Sequence, residues 1–111
     1  MKTIQITPEA DISGTSLQGQ INTTYKILCK MFGTPEDGDG YKTDAEWVLT
    51  TPFGIATIYN YKDGKAYLWD DGLDTEDITD WHIGGKNKET AIIVQTAIEC
   101  YEAGYNLSVK A

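Results

Sequence analysis

Arginine is missing from this chain of 111 residues: all nine basic residues are lysines, set against seventeen Asp and Glu for a net charge of −8. The planar, bidentate fork that serves most phosphate, carboxylate and interface recognition is therefore absent. So is a basic patch able to neutralise phosphates, which argues against direct nucleic acid binding and against an anionic membrane, and leaves a basic protein surface as the better-matched partner. Histidine occurs once, at His82. Cysteine occurs twice, as Cys29 and Cys100, without a CxxC pair or a Cys/His cluster. That excludes a structural zinc site and predicts two reduced, buried thiols. No apolar run approaches the length of a bilayer span. No repeat or low-complexity tract breaks the chain, and its length fits one domain over residues 1–111 with no cofactor.

What is there begins with alternation. Met1 to Thr7 reads as a strand rather than a signal peptide, consistent with a cytoplasmic protein. Thr15-Ser16-Leu17-Gln18 matches a capping box and predicts a helix in which Leu17, Ile21, Tyr25, Leu28 and Met31 or Phe32 share one face, stopped by Gly33 and Pro35. Asp37-Gly38-Asp39-Gly40 has the opening of a calcium loop, but Tyr41 and Lys42 stand where a ligand and a glycine are required. The period becomes two over Asp44 to Thr50 and again over Ile55 to Lys62, with a turn at Thr51-Pro52-Phe53-Gly54 between them.

Asp63-Gly64 is a hairpin signal that predicts a third strand over Lys65 to Trp69. Asp70 to Asp80 is crowded with acids and predicts an exposed, mobile loop. A strand at Thr79 to Ile83 follows, then Gly84-Gly85 as a sharp exit, Asn87 as an N-cap, and a helix from Lys88 to Ala103 ended by Gly104. This order predicts an α+β fold, an antiparallel sheet of about four strands with two helices packed on one face. The other face is left open, presenting either Trp47, Tyr59 and Tyr61 or Glu46, Val48 and Ile58.

Thr15-Ser16-Leu17-Gln18-Gly19, Phe32-Gly33 with Pro35, Gly38-Asp39-Gly40-Tyr41-Lys42-Thr43-Asp44-Ala45-Glu46-Trp47, Ile58-Tyr59-Asn60-Tyr61-Lys62 and Trp81-His82-Ile83-Gly84-Gly85 are spread along most of the chain. In these motifs the sequence resembles a family of small proteins encoded by bacteriophages and prophages. The resemblance implies a setting, the cytoplasm of a host cell. It also implies the kind of work that small phage proteins do there: blocking a nuclease, a CRISPR effector or a nucleotide-signalled defence. It implies no catalytic residue.

Three uses of the residues compete. Proton transfer by His82 with Asp80, Glu46 or Asp44 lacks a nucleophile, a metal cluster and an arginine, so the expectation is no enzyme. A sponge for an anionic nucleotide would use Gly84, Gly85 and the following helix start, Lys86 or Lys88 as counter-charge, and Tyr41, Trp47 or Trp81 with His82 around the base. The favoured expectation is a non-enzymatic, anti-CRISPR-like or nuclease-blocking binding protein whose partner is a basic host protein. Glu36, Asp37, Asp39, Asp70, Asp71, Asp74, Glu76 and Asp77 would steer it, and Tyr67 and Trp69 would anchor it. A structural or regulatory phage role and a homodimer stay open.

Overall fold

Residues of alternating character make the sheet, and the register between its strands decides which of them meet. The computed structural model describes residues 4–104 and 109–110. Its strands are β1 (Ile4–Ile6), β2 (Ser16–Asn22), β3 (Glu36–Asp37), β4 (Ala45–Thr51), β5 (Gly54–Tyr59), β6 (Asp80–Gly85) and β7 (Val109–Lys110). The helices are α1 (Tyr25–Phe32), α2 (Lys65–Leu68) and α3 (Lys88–Glu102), with single 3-10 turns at Trp69–Asp71 and Thr75–Asp77. The strands lie in the order β2-β6-β5-β4-β1-β7, with β3 also on β4, and every pairing is antiparallel except β1 with β7. The fold is α+β with a mostly antiparallel sheet, as expected, but the sheet is wider than the expected four strands.

Cross-strand partners set the two faces. Trp47 lies opposite Ile58, Ile58 opposite Ile83, Leu49 opposite Ala56, and Trp81 opposite Ile21. These side chains form the core under α1 and α3, together with Leu28, Phe32, Ala91, Val94 and Ile98. The two buried indoles meet edge to face at 5.4 Å, and each keeps a hydrogen bond, from Trp47 to the Gly33 carbonyl and from Trp81 to the Ile78 carbonyl. Thr24 caps α1 and Asn87 caps α3, the latter as expected. Cys29 and Cys100 are free thiols, half-buried rather than buried.

Three expectations fail, each for a physical reason. The helix expected from Thr15 is strand for its first half: Gly19 and Ile21 lie opposite Ile83 and Trp81 of β6, while Leu17, across a bulge, lies opposite Gly84 and is exposed. Gly19 belongs to the sheet because a Cβ there would press on Ala91 and Gln95 of α3. Lys65 to Trp69 is not a hairpin arm but α2 and the start of a 3-10 turn, since the Asp44 carboxylate accepts the Ala66 N–H and nucleates a helical turn. Gly84-Gly85 is no turn either. Both glycines lie inside β6, paired on one side with Thr57 and Ala56 and on the other with Leu17 and Ser16. The strand expected at Met1 to Thr7 is β1; residues 1–3 of that reading lie outside the described residues.

Candidate functional site

Four adjacent strands place Glu46, Tyr59, His82 and Gln20 side by side on the face away from the helices. The register pairs Glu46 with Tyr59, Tyr59 with His82, and His82 with Gln20. Tyr59 meets the His82 ring edge-on at 5.6 Å, and the Gln20 amide nitrogen sits 3.1 Å from His82 Nε2. This mixes the two faces expected from sequence: Trp47 points into the core, while Tyr59 shares the open face with Glu46 and Val48.

Glu46 and Tyr59 of this row line a cleft of about 460 Å³. Thr57, Tyr59 and Gly84 lie along it, Ile12, Thr15 and Ser16 form one wall, and Asp37 to Asp39 with Lys42 and Thr43 form the other. Gly84 is needed for room, because a Cβ there would lie 2.6 Å from Thr57 Oγ1. Burial pushes the Glu46 carboxyl above its ordinary value, and the negative charge of Asp39 adds to that. Burial likewise raises the Tyr59 phenol, with Glu46 and Tyr61 contributing. Asp39 is held below the usual carboxylate range by backbone N–H groups of Thr43, Tyr41 and Lys42, which reach its Oδ1 at 3.0, 2.8 and 2.8 Å.

An aromatic strip runs on from the cleft. Tyr61 stacks on His82 at 5.4 Å, Lys62 Nζ lies 5.2 Å from the centre of Tyr61 and 5.3 Å from that of Tyr67, and Tyr67 leans on Tyr41 at 5.4 Å. Lys42 covers Tyr41 at 5.6 Å. The Tyr41–Tyr67 contact joins the loop that carries Asp39 to the helix that leads into Trp69.

That second segment is tightly held. Asn60 is fully buried and binds the backbone N–H groups of Asp44 and Ala45 and the carboxylates of Asp44 and Asp63. The Leu73 N–H donates to the Asp63 carbonyl, and Gly64 bridges to Leu73. Gly72 packs so closely on the Gly64 backbone that a side chain would not fit. On this platform Trp69 is 79% exposed, with Leu68 at 40% and Leu73 at 47%. Its backbone φ is +55°, a region that side-chain-bearing residues rarely adopt. Asp70, Asp71, Asp74, Glu76 and Asp77 follow it in the chain, all exposed, and Lys65–Asp74 at 3.2 Å is the one ion pair among the described residues.

The sequence-predicted residues therefore separate into groups. Glu36, Asp37, Asp39 and Tyr41 are exposed beside the cleft, and Tyr67 is half-buried behind them. The acidic segment is exposed as expected, and it contains two 3-10 turns. Trp47 and Trp81, expected to stack on a ligand, are 2% and 0% exposed under the helices. Gly84 lines the cleft, whereas Gly85 faces Thr90 of α3, so the pair does not form a nest with Lys86 and Lys88, both exposed. His82 pairs with Gln20. Among the described residues no cluster of three or more His, Cys, Asp or Glu could hold a metal, and no helix is long and apolar enough to cross a membrane. The Glu46–Tyr59–His82–Gln20 row was missed in the sequence, although the alternation of Gln18, Gln20 and Asn22 was a signal for the strand that completes it. No protein-family model, curated protein or solved structure matches the chain.

Proposed function

We propose that this chain is a non-enzymatic binding protein that docks on a basic partner protein through Trp69 and the acidic segment that follows it. The observation that carries the reading is the tryptophan, 79% exposed and held in a left-handed backbone conformation on a firmly bonded loop. A large aromatic in solvent is unfavourable for an isolated protein, and backbone strain of about 1–3 kcal/mol persists where the surrounding structure enforces it, which is typical of binding sites. Leu68 and Leu73 add exposed apolar surface, and five exposed acids in the segment that follows Trp69 supply negative charge. This is the anatomy of an interface: a buried aromatic anchor for lasting affinity, and charge for fast encounter.

A basic protein surface is commonly a nucleic acid surface, so an acidic chain seated on it excludes the nucleic acid. Together with the resemblance to phage proteins, this makes a host-defence effector or a nuclease the class of partner we propose. The anionic-nucleotide reading has less support, since the cleft wall carries Asp37, Asp39 and Glu46 against Lys42 alone. Changing Asp70, Asp71, Asp74 and Asp77 together to Asn tests the steering. Association with the captured partner should slow and lose most of its salt dependence, because charge attraction is screened within about 10 Å at 0.1 M ionic strength. An unchanged on-rate would place the interface elsewhere.

A further inference from the structure

We infer that the open-face cleft is the receptor for one arginine side chain of the basic partner, with the Glu46 carboxylate taking the guanidinium beside the Tyr59 ring. The inference rests on the protein-binding reading above and names the second contact of the same partner. The cleft has room for a long side chain, about 460 Å³, and the absence of a side chain at Gly84 keeps it open over Thr57. Its carboxylates are not equivalent. Asp39 spends one oxygen on three backbone N–H groups, and Asp44, outside the cleft, is bound by Asn60 and Ala66. Glu46 is half-buried on a strand and has neither an ion pair nor a side-chain hydrogen bond among the described residues, so its acceptor capacity faces the cleft unused.

Charge and shape select the occupant. The lining acids outnumber the single lysine, which opposes an anion and favours a cation. The neighbouring rings already hold cations, Lys62 over Tyr61 and Tyr67 and Lys42 over Tyr41. A guanidinium fits better than an ammonium here: it is planar, weakly hydrated, able to lie on the Tyr59 ring, and able to give two parallel N–H groups to one carboxylate. The chain contains no arginine of its own to compete.

The test is a backbone-amide NMR titration of the intact chain with a blocked Gly-Arg-Gly peptide, its citrulline counterpart, and its lysine counterpart. The arginine peptide should shift the amides of Thr57, Tyr59 and Gly84, bind about tenfold more tightly than the citrulline peptide, and lose that advantage in Glu46→Gln. Equal binding of the citrulline or lysine peptide, shifts confined to residues 69–77, or undiminished binding by a folded Glu46→Gln would overturn the inference. Its failure is separable from failure of the function itself: capture of the partner that depends on Trp69 can persist with an empty cleft, whereas capture that ignores Trp69 removes the function whatever the cleft does.

Discussion

Asn60 reaches Asp44 twice, accepting its backbone N–H at 2.8 Å through the side-chain oxygen and donating to its carboxylate at 2.8 Å through the side-chain nitrogen. Because the other carboxylate oxygen of Asp44 receives the Ala66 N–H, this one amide ties β4 to α2 and so to the loop that presents Trp69. Asn60→Ala should cost about 3 kcal/mol, since it strands buried partners as well as removing bonds. Asn60→Asp should cost at least as much, because it sets a third carboxylate against Asp44 and Asp63. Urea denaturation measures both, and a loss well under 1 kcal/mol would mean that the network does not hold the platform.

Gly85 and Thr90 make the contact that brings α3 onto β6. A Cβ at position 85 would run into the Thr90 hydroxyl, and the φ of Gly85 is not in the left-handed region, so the cost of Gly85→Ala is one of packing rather than of backbone. We expect about 1–3 kcal/mol of destabilisation. Thr90→Ala in the same chain should recover part of it, and strictly additive losses in that double-mutant cycle would show that the two residues are uncoupled.

Glu46 makes a pH-dependent prediction. A carboxyl whose pKa is raised by folding holds its proton more tightly in the folded state, so its contribution to stability is present at low pH and is lost as pH rises through the folded value. Glu46→Gln should therefore raise the stability at pH 7, by less than about 1 kcal/mol because the side chain is partly solvated, and with it the Tm, and change nothing below about pH 4. Asp39→Asn should do the reverse, costing stability at neutral pH that fades as pH falls through the depressed value of Asp39. Melting curves from pH 3 to pH 8 resolve the signs.

Much of the fold was legible where one period dominated. The alternation at 44–50, that over 55–62 as far as Tyr59, the Asn87 cap and the apolar run of α3 read correctly because local pattern and tertiary environment agree there. Residues 15–22 misled because Leu17, Ile21, Tyr25 and Leu28 satisfy a helical spacing while Gly19 and Ile21 alternate with Gln18, Gln20 and Asn22 as in a strand; only pairing with β6, far along the chain, decides between them. Gly84-Gly85 and Asp63-Gly64 misled in another way. Glycine there serves close approach, to Thr57 and Thr90 in one case and to the Asp44 carboxylate in the other, and sequence cannot tell that use from a turn. The acidic segment and Trp69 were readable from composition, but the cleft was not, since its residues come from loops and five strands that only the register assembles.

Trp69 carries the central claim, and Trp69→Gly tests it most directly because glycine accepts φ of +55° without strain. The variant should fold with unchanged or slightly higher stability, which removes misfolding as an explanation for lost binding. Immobilised wild type should retain a basic protein from host lysate, and the purified partner should then bind Trp69→Gly at least thirtyfold more weakly, the roughly 2 kcal/mol expected of an aromatic anchor. Equal affinity of wild type and a stably folded Trp69→Gly for that partner would contradict the account.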